Sequence, residues 1–197
     1  GTNATFDEYN IVQVAPYGYT GRTDATWATA ECIEPRFYPF IAPFTGNVAQ
    51  LSVACTVAHA TPDLMIGVYN DDGEDAGLPD TLIGKATIDC SSTGNLTASS
   101  FVDAADDATE IPLVAGTRYW IGYAKTASNT LGFICMSRYG GAFCGVSDSP
   151  NMGNLKGQTL VDETISTHEI PDTVTPANLV NDAADGTYVG RVVVTLN

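Results

Sequence analysis

Basic residues are what this chain most conspicuously lacks. Of its 197 residues only 8 are Lys or Arg, against 23 Asp and Glu, for a formal net charge of −15. A phosphate backbone needs a basic face, so nucleic acid is excluded as a partner. An anionic membrane surface is disfavoured for the same reason. Long apolar runs are also missing, and no stretch reaches the roughly 18 residues of a membrane-spanning helix. The first residues, Gly1-Thr2-Asn3-Ala4-Thr5, show neither the basic nor the apolar region of a secretory leader. Histidine occurs twice, as His59 and His168. Gly-x-Ser-x-Gly, His-Glu-x-x-His and the P-loop are absent, and with them the common signatures of hydrolases, zinc peptidases and nucleotide binders.

The hydrophobic content, by contrast, is ample. Hydrophobic residues make up 44 % of the chain, with nine Tyr, seven Phe and two Trp, enough to build a core and to exclude intrinsic disorder. The length suits one large domain, or one domain with extensions. Little Lys and much Asp and Thr suit an exposed or salty setting, where an acidic face stays hydrated.

The five cysteines, Cys32, Cys55, Cys90, Cys135 and Cys144, form no Cys-x-x-Cys pair and fit no zinc spacing. Cys55 sits in the alternating run Leu51, Val53, Cys55, Val57 and reads as a small buried hydrophobe. A hairpin turning near Tyr139-Gly140 would bring Cys135 and Cys144 opposite each other, within reach of a cross-strand bridge. The odd total leaves at least one thiol free, and the set reads as reduced rather than as a disulfide framework.

Helical periodicity is scarce, whereas period-2 runs bounded by Gly, Pro, Asn and Asp recur along the chain. They predict strands over Ile11 to Ala15, Trp27 to Ile33, Arg36 to Ile41, Val48 to Ala58, Leu64 to Asn70 and Leu82 to Asp89. Further strands are predicted over Ser100 to Asp103, Glu110 to Val114, Arg118 to Lys125, Leu131 to Ser137 and Tyr188 to Leu196. Pro176 to Ala183 is the one helix candidate, equally readable as loop. Strands at this spacing imply an all-β fold, an antiparallel β-sandwich of jelly-roll type, rather than βαβ units. Residues 1–43 read as an N-terminal strand or arm region and 44–137 as the sandwich core. Residues 138–197 read as a long loop excursion and a closing strand of the same domain.

The central block carries a recognisable order. It runs Phe44-Thr45-Gly46-Asn47-Val48, Ile66-Gly67-Val68-Tyr69-Asn70-Asp71-Asp72-Gly73, Leu78-Pro79-Asp80-Thr81-Leu82-Ile83-Gly84 and Gly116-Thr117-Arg118-Tyr119-Trp120-Ile121-Gly122-Tyr123. Thr-Gly opens a strand, Asn-Asp-Asp-Gly supplies positive-φ turn residues, and Trp120 is expected to fill the space between two sheets. This order resembles β-sandwich modules of bacteriophage tail, fibre and other virion-surface proteins, and of some secreted bacterial surface proteins. The resemblance covers about residues 44–137. It implies a virion-surface or extracellular location, with copies of itself, other virion proteins or a host-surface glycan as partners.

Three groups of residues carry the candidate chemistry. Asp71, Asp72, Glu74 and Asp75 crowd around Gly73, and Asp103, Asp106 and Asp107 form a second acidic group. A hard cation such as calcium takes six to eight oxygens from such irregular loops, although neither group matches an EF-hand and a solvated acidic turn is the more ordinary reading. Tyr17, Tyr19, Trp27, Arg138 and Tyr139 lie among glycines and polar residues, where exposed rings would form a platform for a sugar. Phe37, Tyr38, Phe40 and Phe44 form an aromatic run punctuated by proline, expected as an edge strand packed on a partner copy. The competing reading is that these rings cover the sandwich end. The sequons Asn3-Ala4-Thr5 and Asn95-Leu96-Thr97 matter only in a secretory pathway. The chain thus reads as a non-enzymatic structural protein of a bacteriophage particle. The alternative is a carbohydrate- or receptor-binding module of a fibre or a secreted adhesin.

Overall fold

The structure is a computed structural model that describes residues 10–14, 21–27, 33–61, 63–73, 77–137, 160–162, 168–181, 188–190 and 192–197. Two antiparallel sheets pack on a shared apolar core, so the chain is an all-β sandwich, as expected. The first sheet contains β1 (Asn10–Val14), β2 (Gly21–Trp27), β4 (Gly46–Val57), β7 (Gly94–Ala98), β10 (Pro112–Leu113), β12 (Leu131–Ser137), β15 (Tyr188–Gly190) and β16 (Val192–Leu196). The second contains β3 (Arg36–Ile41), β5 (Leu64–Asp71), β6 (Pro79–Ile88), β8 (Phe101–Val102), β9 (Ala108–Thr109), β11 (Arg118–Lys125), β13 (Leu160–Asp162) and β14 (Leu179–Asn181). Residues before 44 and after 137 supply strands to both sheets.

The longest strand, β4, organises the first sheet. Along one edge it pairs with β16 and then β12, along the other with β10 and β7. Two register shifts interrupt its alternation. One lets Val48 join Leu51, Val53 and Cys55 in the core, and the other, beside Gly132 and Phe133, turns Val57 outward. Val57 therefore leaves the buried face on which simple alternation places it. The expected strand Tyr188 to Leu196 is two strands, because β15 pairs with β12 and β16 with β4.

In the second sheet the order is β14-β13-β3-β11-β5-β6-β8-β9. All of β11 beyond Arg118 is buried. Tyr119, Ile121 and Tyr123 enter the core between the sheets. Trp120 and Ala124 point the other way, into a second cluster with Phe37, Tyr69, Ile170 and Val174 on the outer face. Trp120 is thus buried, but not between the sheets where the sequence places it. The interior position of β3 likewise corrects the expected edge strand. It lies between β11 and β13, with Phe37, Tyr38 and Phe40 all buried in the chain's own cores.

The cover over the outer cluster is a strap, residues 168–174, that follows the long excursion. It meets β6 in a single antiparallel bridge. Leu82 N–H donates to the Asp172 carbonyl at 2.9 Å and Val174 N–H to the Asp80 carbonyl at 2.9 Å, with Thr81 opposite Thr173. The buried Tyr69 hydroxyl donates to the Pro171 carbonyl at 2.6 Å. The cover fits because the sheet is hollowed beneath it. Gly67 and Gly122 are register partners on β5 and β11. A Cβ on Gly67 would come within 2.8 Å of Ile170, and one on Gly122 within 2.5 Å of the Tyr69 ring. Burying Ile170 and Val174 contributes on the order of 1.5–3 kcal/mol each.

Pro176–Asn178 is a single 3-10 turn followed by β14, so the helix candidate is not a helix. Proline begins the turn, and Leu179, Val180 and Asn181 leave it to pair with β13. The packing at Gly122 gives the first prediction. Gly122→Ala overpacks the face between Tyr69 and Phe37 and lowers stability by about 1–3 kcal/mol. Urea unfolding checks it: the midpoint falls at unchanged slope, and an unmoved midpoint contradicts the packing described.

Candidate functional site

The acidic turn after β5 is built by hydrogen bonds rather than left open. Asp71 Oδ1 accepts from Gly73 N–H at 3.1 Å and from Arg118 Nη2 at 2.9 Å. Its Oδ2 accepts from Arg118 Nε at 2.5 Å and from Trp120 Nε1 at 2.9 Å. Four N–H groups thus fill the two oxygens that the sequence offers to a cation. Burial pushes the Asp71 carboxyl up, but the bonds from Arg118 and Trp120 and the guanidinium charge outweigh it and hold the group below the usual range. The bond to Asp71 likewise holds Arg118 above its ordinary value against desolvation. The adjoining Asp72 Oδ1 accepts from Leu78 N–H at 3.0 Å, while Asp72 N–H donates to the Leu78 carbonyl at 2.9 Å, closing the turn. Gly77, at φ 55°, admits the guanidinium of Arg118 where any Cβ would collide with it. Glu74 and Asp75 lie outside the described residues.

The second acidic group is a turn of the same kind. Asp103 Oδ1 accepts from the N–H groups of Ala105 at 2.8 Å and Asp107 at 3.1 Å. Lys85 on β6 reaches Asp106 at 3.2 Å and Asp172 of the strap at 3.4 Å. Desolvation pulls the Lys85 ammonium down, but the two carboxylates prevail and hold it above its ordinary value. Among the described residues no group of three or more His, Cys, Asp or Glu is arranged to hold a metal ion.

The histidines have local partners. The N–H of Thr61 donates to His59 Nδ1 at 3.2 Å. The His168 ring lies between the Lys125 carbonyl, 3.0 Å from Nδ1, and the Ser128 hydroxyl, 3.0 Å from Nε2. The carbonyl requires a proton on Nδ1, so Nε2 accepts from Ser128 in the neutral ring. Cys55 and Cys90 are free and buried. Burial, followed by the neighbouring Cys55, pushes the Cys90 thiol up to about 12, the opposite of what a nucleophile needs. Cys32 and Cys144 lie outside the described residues, while the β12 backbone at Cys135 pairs with Thr23 and Gly190.

Of the sugar-platform residues, Tyr17, Tyr19, Arg138 and Tyr139 lie outside the described residues. Trp27 ends β2 with its backbone opposite Leu131. From the aromatic run only Phe44 is exposed, at 48 %. It shares one corner of the sandwich with two apolar residues absent from the sequence-based candidates, Ile41 (42 % exposed) and Val114 (54 %). Their turns are tied together. Ala42 N–H donates to the Thr117 carbonyl at 3.0 Å and Gly116 N–H to the Ala42 carbonyl at 2.7 Å. Ala115 N–H donates to Thr45 Oγ1 at 3.0 Å. Residues 41–47 and 111–117 contain no charged side chain. Pro43 after Ile41 and Ala115-Gly116 after Val114 are the turn signals in the sequence that mark the missed corner.

No known protein-family model matches the chain, and no curated protein matches it.

The Asp71 environment has a definite pH consequence. Its carboxyl lies below the ordinary value in the folded chain, so its contribution is fully present above the ordinary carboxylate range and is lost as pH falls through the folded value. Asp71→Asn therefore destabilises the protein at pH 7 by about 1–2 kcal/mol, the low side for charged hydrogen bonds because the guanidinium is partly open to water. The gap narrows as the pH drops below about 4. Urea midpoints of both proteins at pH 7 and pH 3 test this, and a gap independent of pH contradicts it.

Proposed function

We propose that the chain is a non-enzymatic structural module that assembles with copies of itself, as a surface, decoration or fibre component of a bacteriophage particle. The observation that carries this reading is the apolar corner of Ile41, Phe44 and Val114, on turns whose own residues are uncharged and whose neighbouring acid, Glu110, is tied to Asn47 at 2.7 Å. On a chain of net charge −15, copies repel one another least where charge is sparse and apolar surface can be removed from water. The corner offers such surface and sits on turns held by hydrogen bonds, so it needs little ordering on contact. The non-enzymatic part draws support from the described acids, histidines and thiols, whose hydrogen bonds hold turns and strap or keep them in the core. The virion part rests on the resemblance of residues 44–137.

Light scattering after size exclusion, with and without calcium, tests the reading. The expected result is a discrete assembly of two or more copies, indifferent to calcium and reduced in mass by Phe44→Ser with Val114→Ser. A clean monomer at every concentration overturns it and moves the glycan-binding module to first place, to be taken up by sugar-array binding.

A further inference from the structure

A second part of the surface is also exposed and uncharged, and its geometry is more specific than the corner's. Residues 91–100, Ser-Ser-Thr-Gly-Asn-Leu-Thr-Ala-Ser-Ser, carry no charge. The flanking segments are acidic, with Asp89 on one side and Asp103, Asp106 and Asp107 on the other. Within this stretch lies β7, whose only strand neighbour among the described residues is β4. Ala98 is buried and Leu96 half-buried, while Asn95 and Thr97 are exposed. On the outward face of the adjoining β4 stand Gln50, Ser52, Ala54 and Thr56, also uncharged, with Ser52 Oγ 3.1 Å from Thr97 Oγ1.

An open strand edge presents unpaired N–H and C=O groups to any other strand, and natural proteins guard such edges with charge, proline or a bulge. Other edges of this sandwich carry such guards in or beside the strand: β1, at the end of the first sheet, is itself uncharged but stands between Asp7-Glu8 and Pro16 in the sequence. At the rim of the second sheet β9 is two residues long and flanked by Asp106, Asp107 and Glu110. Proline stands at the start of β10. β7 has five residues, no proline and no charge, and pairs with β4 in unbroken register from Gly94 to Ala98.

We propose that β7 pairs with β7 of a second copy, antiparallel about a two-fold axis, so that the first sheets of the two copies run on as one. The proposal rests on the reading of the chain as self-assembling and names a contact distinct from the corner. A second copy is the fitting occupant for two reasons. The edge is self-complementary under a two-fold, since an antiparallel pair of identical strands satisfies both alike. It is also one of the few surfaces on which two strongly acidic copies meet without opposing carboxylates. A five-residue strand offers few hydrogen bonds, so this contact is weak alone. Joined to the apolar corner, it gives each copy two kinds of contact, and assembly then continues past a dimer.

Sedimentation velocity of the full chain tests the proposal, comparing wild type, Asn95→Lys with Thr97→Lys, and Phe44→Ser with Val114→Ser. The lysines place like charges across the two-fold while leaving the core untouched. The expected result is that the β7 variant loses at least half of the assembly mass at an unchanged circular dichroism spectrum, while the corner variant keeps a weak dimer whose population rises with concentration. A β7 variant that keeps the wild-type mass overturns the proposal, and if the corner variant alone dissociates, the functional reading stands without it. A monomeric wild type overturns both. Should the double lysine variant misfold, hydrogen exchange of wild type decides. The amides of 94–98 that face away from β4 gain protection as concentration rises, and protection independent of concentration overturns the pairing.

Discussion

The rest of the structure depends on burying β11 from both sides. A strand of a two-layer sandwich ordinarily shows one face to the core and one to water. Here Tyr119, Ile121 and Tyr123 fill the space between the sheets, while Trp120 and Ala124 need cover on the outside. The chain supplies it with Ile170 and Val174 of the strap, while Gly67 leaves room for Ile170 and Gly122 for the Tyr69 and Phe37 rings. Backbone hydrogen bonds to β6 and the Tyr69–Pro171 bond hold the strap in place. The outer face of the second sheet is consequently covered over Trp120, Tyr69 and Phe37.

Electrostatics divides the surface in a complementary way. The four basic side chains described are all spent inside the chain. Arg36 and Lys125 are buried, Arg118 is held by Asp71, and Lys85 is held by Asp106 and Asp172. None of these four is left to attract the acidic surface of another copy. The proposed contacts between copies, the corner at Ile41, Phe44 and Val114 and the strip along β7, accordingly lie where acidic side chains are sparse.

Much of the fold was legible in the sequence where runs of β-forming residues are bounded by turn residues. Arg36–Ile41, Arg118–Lys125 and Leu131–Ser137 occur as read. β7 was missed because Gly-Asn-Leu-Thr-Ala, set between Ser91-Ser92-Thr93 and Ser99-Ser100 and opened by Gly94 at φ 121°, resembles a loop. β13 and β14 are three residues each, too short to show a period. Trp120 was placed on the wrong face for a physical reason. Both faces of β11 are apolar, and the residues that decide between them, Ile170 and Val174, lie about fifty positions away in a stretch read as loop. The acidic turn was legible in part. Its neighbours in sequence read as a solvated turn or as a calcium loop, and neither reading holds the groups that fill Asp71, Arg118 and Trp120, brought over by the pairing of β11 with β5.

The central structural claim is that the strap belongs to the folded core rather than lying on it. Native-state hydrogen exchange of the full chain tests this most directly, followed at the Leu82 and Val174 amides, whose acceptors are the Asp172 and Asp80 carbonyls. The account predicts that both amides exchange as slowly as those within β11 and open only in global unfolding. Exchange of both at the rate of an exposed turn, with β11 still protected, would contradict it.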